Sequence, residues 1–242
     1  FSGAPGDADT LRKLLLGPRN DVTIWTGTAS EAKSVAWSEP LSLPAVKAVA
    51  AANLCTVNDV LVATVAGCLH DYLQVHGARC SSVTFMVPVN LKPLDLTLPD
   101  TLGNEFALVQ LELPTDESDA HEVLAIAKRR MDRIKNGHEA AVAFRFQETI
   151  AGLSRGLYEA SVDLFANRSV GVLTNVPGPP DAVYLAGSLV DGMVGWAPTS
   201  GDQPMSFTIY SYNGEVTVGI ACDTALVPDH EMIVDGFSRA FG

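Results

Sequence analysis

The sequence predicts a mixed α/β (α+β) fold, in which helices cover a mixed, largely antiparallel sheet. Segments with apolar residues at helical spacing alternate along the chain with segments of strand-like alternation. The dipeptide Asn213-Gly214 separates two alternating runs, which is the strongest short signal for a β-hairpin. Hydrophobic residues make up 47% of the 242 residues and charged residues 18%, which is typical of a chain that folds around a core.

The beginning of the chain differs from the rest. Residues 1–35 combine a short helical pattern, which stops at Gly17-Pro18, with a polar segment, and we expect a linker and a short helix that belong to a preceding unit. The domain itself is expected over residues 36–242. Because the sequence starts at Phe1 without Met and shows no signal-like pattern, we expect a piece of a longer polypeptide.

The first elements of the domain are a strand and two helices. The segment SVAWSEP predicts a strand that ends at Pro40. A helix follows, with Ser42 as its N-cap and Pro44 in its first turn. A second helix contains the apolar stretch CTVNDVLVATVAGCL and continues to about Val75, where His76-Gly77 ends it.

The remaining elements continue this alternation. Strands are predicted within SVTFMVPVNLKP, before a loop that starts at Lys92, and at NEFALVQLELP, and an amphipathic helix at ESDAHEVLAIAKRRMDRIKNG, where the acidic residues precede the basic ones, as the helix dipole favours. A long helical pattern covers residues 139–167 and breaks near Gly152 or Gly156. Strands then follow at VGVLTNVP, within 183–196 and in the hairpin, and a helix closes the chain at PDHEMIVDGFSRAF.

Charge and motifs exclude several classes of function. The formal net charge of −12 repels phosphate backbones, so we expect no nucleic-acid partner. No apolar run reaches the roughly 20 residues of a transmembrane helix. The five histidines show no metal-ligand spacing, and the sequence has neither a GxSxG elbow nor a P-loop. We therefore expect no metal site and no permanently bound cofactor, and we find no complete catalytic constellation.

Polar residues at the ends of predicted elements are the candidates that remain. Asn58 and Asp59 open the second helix, and Asn90, Asn104 and Asn175 follow or end strand patterns. Asparagine tolerates unusual backbone conformations and offers both a donor and an acceptor. Each of these asparagines is therefore either a turn or cap residue or a polar group that faces a cleft.

The start of the second helix has a concrete structural interpretation. Thr56 is a good N-cap, and Asp59 lies three residues later, in the place that Glu usually takes in a capping box. Such a cap contributes about 1 kcal/mol, and a carboxylate at this end also interacts favourably with the helix dipole. The cap explains Thr56 and Asp59, but it does not require Asn58.

Several phrases together resemble the bacterial, and especially mycobacterial-type, wax ester synthase/diacylglycerol acyltransferases. They occur in the order of that family and cover essentially the whole chain: TVNDVLVATVAGCLHDYL, MVPVNLKP, LGNEFALVQLELP, TNVPGPPDAVYLAG and SYNGEVTVGIACDTALVPD. The resemblance implies an acyl-CoA-dependent O-acyltransferase that makes triacylglycerol from diacylglycerol, or wax esters from long-chain alcohols. It also implies a fold like one half of the chloramphenicol-acetyltransferase and condensation-domain enzymes.

The resemblance places this chain in the C-terminal half of such an enzyme. The catalytic histidine of the family belongs to an HHxxxDG motif in the N-terminal half, and this sequence has no two adjacent histidines. The general base therefore cannot be assigned to any residue here. The implied partners are the N-terminal half of the same polypeptide, acyl-CoA as co-substrate, and diacylglycerol or a fatty alcohol. The implied location is the cytoplasm, with peripheral contact to the inner membrane or to lipid droplets.

The resemblance also selects site residues. The family's ND pair matches Asn58 and Asp59, which would border a substrate tunnel or support its wall. Five further residues would lie along the tunnel or between the two halves: Asn90, Asn104, Asn175, Pro177 and Gly178. Two other interpretations stay open, namely a non-catalytic lipid- or partner-binding module of the same fold, and a condensation domain of a peptide or polyketide assembly line.

Overall fold

A computed structural model of the chain describes residues 23–90, 106–137, 139–152, 154–156 and 166–242. The helices are α1 (Leu43–Ala52), α2 (Val57–Val75), α3 (Ala120–Asn136), α4 (Glu139–Ala151), α5 (Glu231–Asp235) and α6 (Phe237–Phe241). The strands are β1 (Lys33–Trp37), β2 (Leu41–Ser42), β3 (Ser82–Asn90), β4 (Phe106–Pro114), β5 (Gly171–Pro177), β6 (Tyr184–Leu185), β7 (Ser188–Leu189), β8 (Met205–Tyr212) and β9 (Glu215–Asp223).

One mixed sheet organises these elements. Its strands lie in the order β1-β9-β8-β5-β3-β4, and β2 also pairs with β9. The β3–β5 and β5–β8 pairs are parallel, whereas the other pairs of this sheet are antiparallel. The predicted class, a mixed and largely antiparallel sheet with helices, is confirmed. The three parallel strands β3, β5 and β8 consequently end at the same side of the sheet.

The sheet buries one face beneath the helices. Phe207 pairs with Leu173 on one side and with Ile220 on the other, and all three side chains are buried in the core. Residues that pair directly across neighbouring strands point to the same face, so these three mark the helix-covered face. Phe85 on β3 lies on this face too, and its ring meets that of Phe207 edge-on at 5.6 Å.

Helix α2 is central among the helices, because it contacts α1, α3, α5 and α6. Its apolar sequence is explained by its position, because eleven of its residues are buried. The predicted bounds of α1 and α2 are confirmed: Ser42 caps α1, and α2 runs to Val75 with His76 as its C-cap. Gly77 follows with a φ of 62°, the left-handed conformation in which a helix commonly ends.

The C-terminal end of α2 is tied to the segment before α5. Tyr72 donates a hydrogen bond to Asp229 Oδ1, and His76 Nε2 lies 2.8 Å from Asp229 Oδ2. His76 Nδ1 lies 2.8 Å from the carbonyl oxygen of Tyr72. Since both ring nitrogens face acceptors, this arrangement fits the protonated imidazole. The hydrogen bond to the Tyr72 carbonyl, with the carboxylate of Asp229, raises the pKa of His76.

The pKa of Asp229 shifts in the opposite direction from that of His76. Burial by itself would raise the pKa of its carboxyl group, but hydrogen bonds from Tyr72 and His76 outweigh burial and hold this pKa below its ordinary value. The same environment raises the pKa of the Tyr72 hydroxyl, chiefly through burial. The end of α2 is thus held by a charged contact whose strength depends on pH.

The hairpin predicted at Asn213-Gly214 is confirmed. It joins β8 to β9, and both turn residues have positive φ, 46° and 81°, as a two-residue type I′ turn requires.

The edge of β4 that pairs with no described strand is covered by side chains. The carbonyl oxygen of Glu112 accepts a hydrogen bond from Arg130, and the carbonyl oxygen of Leu108 accepts one from Gln147. These side chains of α3 and α4 satisfy outward backbone groups of an edge strand.

Three predictions of organisation need correction. The boundary predicted after residue 35 falls inside β1, and Trp25, predicted in a linker, is 1% exposed and stacks on Tyr72, because its large apolar ring completes the core. Within 183–196, only the two-residue strands β6 and β7 form, since prolines and glycines surround them. The final predicted helix is divided into α5 and α6 at Gly236. The helix predicted before Gly17 lies outside the described residues.

The start of β5 leaves no room for a side chain, which gives a first prediction. A Cβ atom at Gly171 would lie 1.5 Å from the carbonyl oxygen of Met205. We expect Gly171→Ala to lower the free energy of unfolding by about 3 kcal/mol, because backbone atoms must move to relieve the overlap. Gly192→Ala is the control, since a Cβ there meets nothing within 4 Å. Equal denaturation midpoints for the two variants would contradict this account.

The contact at the end of α2 predicts a pH dependence. Because the pKa of His76 is raised on folding, its contribution is fully present below the unfolded histidine pKa of about 6.5 and is lost as the pH rises through the folded value. We expect the stability difference between the wild type and His76→Gln to be largest near about pH 5.5 and to shrink by about pH 9. Denaturant titrations at several pH values measure it, with His121→Gln as control. A difference that does not change with pH would contradict the ion pair.

Candidate functional site

The candidate site lies where the parallel strands of the sheet end. Asn90 closes β3, Pro177 closes β5 and Tyr212 closes β8. We call this side of the sheet the C-terminal rim. Helix α2 begins over the rim, because its residue Asn58 contacts Asn175 near the end of β5. The rim therefore combines strand ends with the amino-terminal end of a buried helix, whose dipole is positive there.

Thr56 and Asp59 fix where α2 begins. The Thr56 hydroxyl accepts a hydrogen bond from the backbone N–H of Asp59 at 3.2 Å, and the Asp59 carboxylate accepts one from the backbone N–H of Thr56 at 2.8 Å. This is the reciprocal capping box that the sequence predicts, with Asp in the place of Glu. It satisfies two backbone donors that a helix would otherwise leave without partners.

Asp59 is more deeply buried than a capping residue on the surface of a protein. Its side chain is 0% exposed, and Lys135 Nζ on α3 lies 3.7 Å from Asp59 Oδ1. That oxygen accepts no hydrogen bond within the described part of the chain. A buried carboxylate costs free energy unless a positive group is near, and here Lys135 and the helix dipole provide it. Solvent does not reach Asp59 in this arrangement, and its hydrogen bond from the Thr56 N–H holds the first turn of α2.

A hydrogen bond between Asn58 and Asn175 links α2 to the rim, and the sequence did not predict it. Asn175 Nδ2 donates a hydrogen bond to Asn58 Oδ1 over 3.1 Å. Asn58 is half-buried, whereas Asn175 is exposed. Each amide keeps further hydrogen-bonding capacity after this bond forms, namely the NH₂ group of Asn58 and the oxygen of Asn175.

The chemistry that this pair can perform is limited and specific. A carboxamide does not titrate near neutral pH, so neither side chain can serve as a general base. It can donate hydrogen bonds to an oxygen that gains negative charge, or accept one from a hydroxyl group. The pair therefore has the properties of a positioning or charge-stabilising group rather than of a proton carrier.

A nucleophile is not provided by the neighbouring cysteine. Cys55 precedes Thr56, and burial raises the pKa of its thiol, with a further increase from the negative charge of Asp59. The thiolate is the nucleophilic form, and it is disfavoured here.

Charged residues of α3 lie near the start of α2. Lys128 Nζ pairs with Asp132 at 2.7 Å. The spacing of Lys128, Asp132 and Lys135 on one helix face is a sequence signal that identifies this charged stripe.

The other predicted site residues fall in different places. Gly178 follows β5, and its N–H donates to the carbonyl oxygen of Ser211 at 2.9 Å. A Cβ on Gly178 would lie 2.3 Å from that same oxygen, so the exit of β5 depends on glycine. Asn90 is exposed at the end of β3, on the face opposite to Asn175. Asn104 lies outside the described residues.

Within the described ranges, no group of three or more His, Cys, Asp or Glu residues has a geometry that could hold a metal ion. Among these residues, no single helix is long and apolar enough to cross a bilayer. The pair α1 and α2 satisfies that test together, by length and composition only, with a bend of 100° between the two helices.

Sequence comparison decides the family. The profile of the WS/DGAT C-terminal domain, where the abbreviation stands for wax ester synthase/diacylglycerol acyltransferase, matches residues 102–242. The chain belongs to the WS/DGAT family. A Mycobacterium tuberculosis H37Rv protein with a provisional diacylglycerol O-acyltransferase name is 28% identical over 98% of this chain and 50% of its own length. The O-acyltransferase WSD of Acinetobacter baylyi is 27% identical over 71% of this chain and 38% of its own length.

Solved structures show the same fold. The WS/DGAT enzyme of Marinobacter aquaeolei VT8 superposes with a TM-score of 0.70 at 22% identity, over 97% of this chain and 54% of that chain. The epimerization domain of the third module of tyrocidine synthetase B superposes with a TM-score of 0.60 at 12% identity, over 97% of this chain and 55% of that chain. This WS/DGAT chain therefore spans about half the length of the relatives that it matches.

The capping box predicts how the start of α2 responds to substitution. Asp59→Asn keeps a side-chain oxygen for the Thr56 N–H but loses the charge, so we expect it to lower the free energy of unfolding by about 1–2 kcal/mol. Asp59→Ala loses both and should lower it further, by about 3 kcal/mol, because the Thr56 N–H is then left without its acceptor as well. Thr56→Ala should lower it by about 1 kcal/mol.

Denaturant midpoints of these variants measure the order, with Thr56→Ser as a control that keeps the hydroxyl cap. If Asp59→Asn were as stable as the wild type but inactive in the full-length parent, Asp59 would be an active-site carboxylate and the positioning role would be refuted.

Proposed function

We propose that this chain is the C-terminal half of an acyl-CoA-dependent O-acyltransferase, which makes triacylglycerol from diacylglycerol, wax esters from long-chain alcohols, or both. The family membership and the names of the relatives support the reaction class. The observation that carries the proposal within this chain is the hydrogen bond between Asn58 and Asn175 at the rim. It presents neutral amide groups from two distant segments at a partly exposed position.

The reaction divides between the two halves in this proposal. A general base outside this chain removes the proton of the acceptor hydroxyl, and the resulting alkoxide attacks the thioester carbonyl of acyl-CoA. The carbonyl oxygen becomes an oxyanion, the C–S bond then breaks, and the CoA thiolate takes up the proton. Asn58 and Asn175 orient the acyl or acceptor oxygen and donate hydrogen bonds as charge develops. Asp59 keeps Asn58 in place by fixing the start of α2.

The proposed substrates also suggest where the enzyme acts. Long acyl chains and diacylglycerol partition into lipid, so we place the parent in the cytoplasm, in peripheral contact with the inner membrane or with lipid droplets. No metal or resident cofactor is needed for the reaction as written, since acyl-CoA itself supplies the activated acyl group.

An assay of the full-length parent tests this function. With palmitoyl-CoA and diacylglycerol, we expect CoA release together with triacylglycerol formation. Asn58→Ala and Asn175→Ala should each lower kcat/KM by about tenfold, the effect of one hydrogen bond of 1.4 kcal/mol. The double variant should lose little more than either single variant, because both substitutions remove the same link.

The controls separate chemistry from folding. Asn53→Ala removes the asparagine that follows α1, whose side chain donates a hydrogen bond to the Val49 carbonyl at 2.9 Å, so turnover should be retained. The denaturation midpoints of Asn58→Ala and Asn175→Ala should change little. The isolated chain should show no sustained turnover, and activity from it would refute the division between halves. A parent that binds lipid but forms no ester would instead be a non-catalytic binding module of the same fold.

A further inference from the structure

A small hairpin beside the rim exposes apolar side chains on both of its faces. Among the described strands, β6 and β7 pair only with each other, and their turn residues Ala186 and Gly187 have φ values of 50° and 85°. Tyr184 pairs directly with Leu189, so these two side chains share one face, and Leu185 lies on the other. The exposed fractions are 65% for Tyr184, 74% for Leu185 and 54% for Leu189. We call Tyr184–Leu189 the apolar hairpin.

The base of the apolar hairpin is firmly attached to the domain. The Tyr212 hydroxyl accepts a hydrogen bond from the Val183 N–H and donates one to the Val190 carbonyl, each at 2.8 Å. Tyr212 itself is 5% exposed and ends β8 at the C-terminal rim. The hairpin is therefore fixed at the end of β8 that belongs to the rim, although Tyr212 itself points to the sheet face opposite to that of Asn175. Its exposure is not explained by a loose attachment.

Scattered apolar residues on a surface need no explanation, but a fixed element that exposes three of them does. A hairpin that lay flat on a partner would be apolar on one face only. Because both faces carry large apolar side chains, the arrangement fits a hairpin that inserts between surfaces of its partner.

Charge indicates what kind of partner this is. No Lys or Arg occurs between Arg168 and Arg239, and the hairpin is flanked by the exposed carboxylates Asp181 and Asp191. Segments that attach to anionic lipid headgroups carry clustered basic residues. The flanking charges here oppose such a surface, so the observations favour a protein partner.

We infer that the apolar hairpin docks into the N-terminal half of the parent polypeptide. This inference rests on the proposed function, in which this chain is the C-terminal half. The mycobacterial relative covers 98% of this chain with only 50% of its own length, so a second unit of similar size is available in a parent of that length. The docked hairpin would fix the second half against the rim that carries Asn58 and Asn175. Its partner surface would be apolar and would lack exposed carboxylates near Asp181 and Asp191.

Site-specific thiol labelling of the full-length parent tests this interface. Leu185→Cys places a thiol on the hairpin, and Val75→Cys places one on a similarly exposed position at the end of α2, since Val75 is 67% exposed. Peptide mass spectrometry then follows alkylation at each position separately from the native cysteines. We expect the thiol at 185 to react at least about tenfold more slowly than that at 75 in the folded parent, and equally fast in denaturant. Leu189→Cys, on the other face, provides an independent measurement with the same expectation.

Equal labelling rates at 185 and 75 in the folded parent would overturn the inference. Protection that appears only after addition of phosphatidylglycerol vesicles would show a lipid partner, and protection that disappears on dilution would show a second copy of the protein; both outcomes overturn it. Labelling does not depend on turnover. A parent that protects position 185 but makes no ester would support the interface and refute the proposed function. An active parent in which position 185 reacts as fast as position 75 would support the function and refute the interface.

Discussion

The burial of Asp59 in the first turn of α2 is the constraint on which the geometry of the site depends. A carboxylate that is 0% exposed is stable there because the Thr56 N–H, the helix dipole and Lys135 all compensate its charge. The start of the helix is thereby fixed in register. A shift of one residue would rotate every side chain by about 100°, and Asn58 would no longer meet Asn175. The preference for this one register follows from the cost of leaving a buried charge without partners.

The topology of the sheet places the start of α2 beside the ends of several strands. Because β3, β5 and β8 run parallel, their C-terminal ends meet at one rim, and α2 begins over it. The close approach of β5 to β8 needs Gly171, where even a methyl group would overlap Met205. At its other end α2 is held by Asp229, through Tyr72 and His76. The helix is thus fixed at both ends, and the charged contact at the far end responds to pH.

The sequence predicts local structure well, and long-range contacts poorly. The cap at Thr56, the turn at Asn213-Gly214 and the end of α2 at His76-Gly77 follow from rules that involve neighbouring residues only. The pairing of Asn58 with Asn175 spans 117 positions, and the approach of Lys135 to Asp59 depends on the packing of α3, so no local pattern predicts either contact. Trp25 was predicted in a linker because its neighbours are polar, although its own apolar area determines that it is buried.

In the proposed reaction, the chemistry of the rim would make half of such a fold insufficient by itself. An amide pair can orient a substrate and stabilise an oxyanion, but it cannot take a proton from a hydroxyl group. Burial and the negative charge of Asp59 raise the pKa of the neighbouring Cys55 thiol. The groups at the rim therefore become useful only when a base is held opposite them at a defined distance. A rigid apolar hairpin, attached through Tyr212 to the strand beside Asn175, is the kind of element that can set that distance. Positioning of the second half and positioning of the amide pair would then depend on the same two strands, β5 and β8.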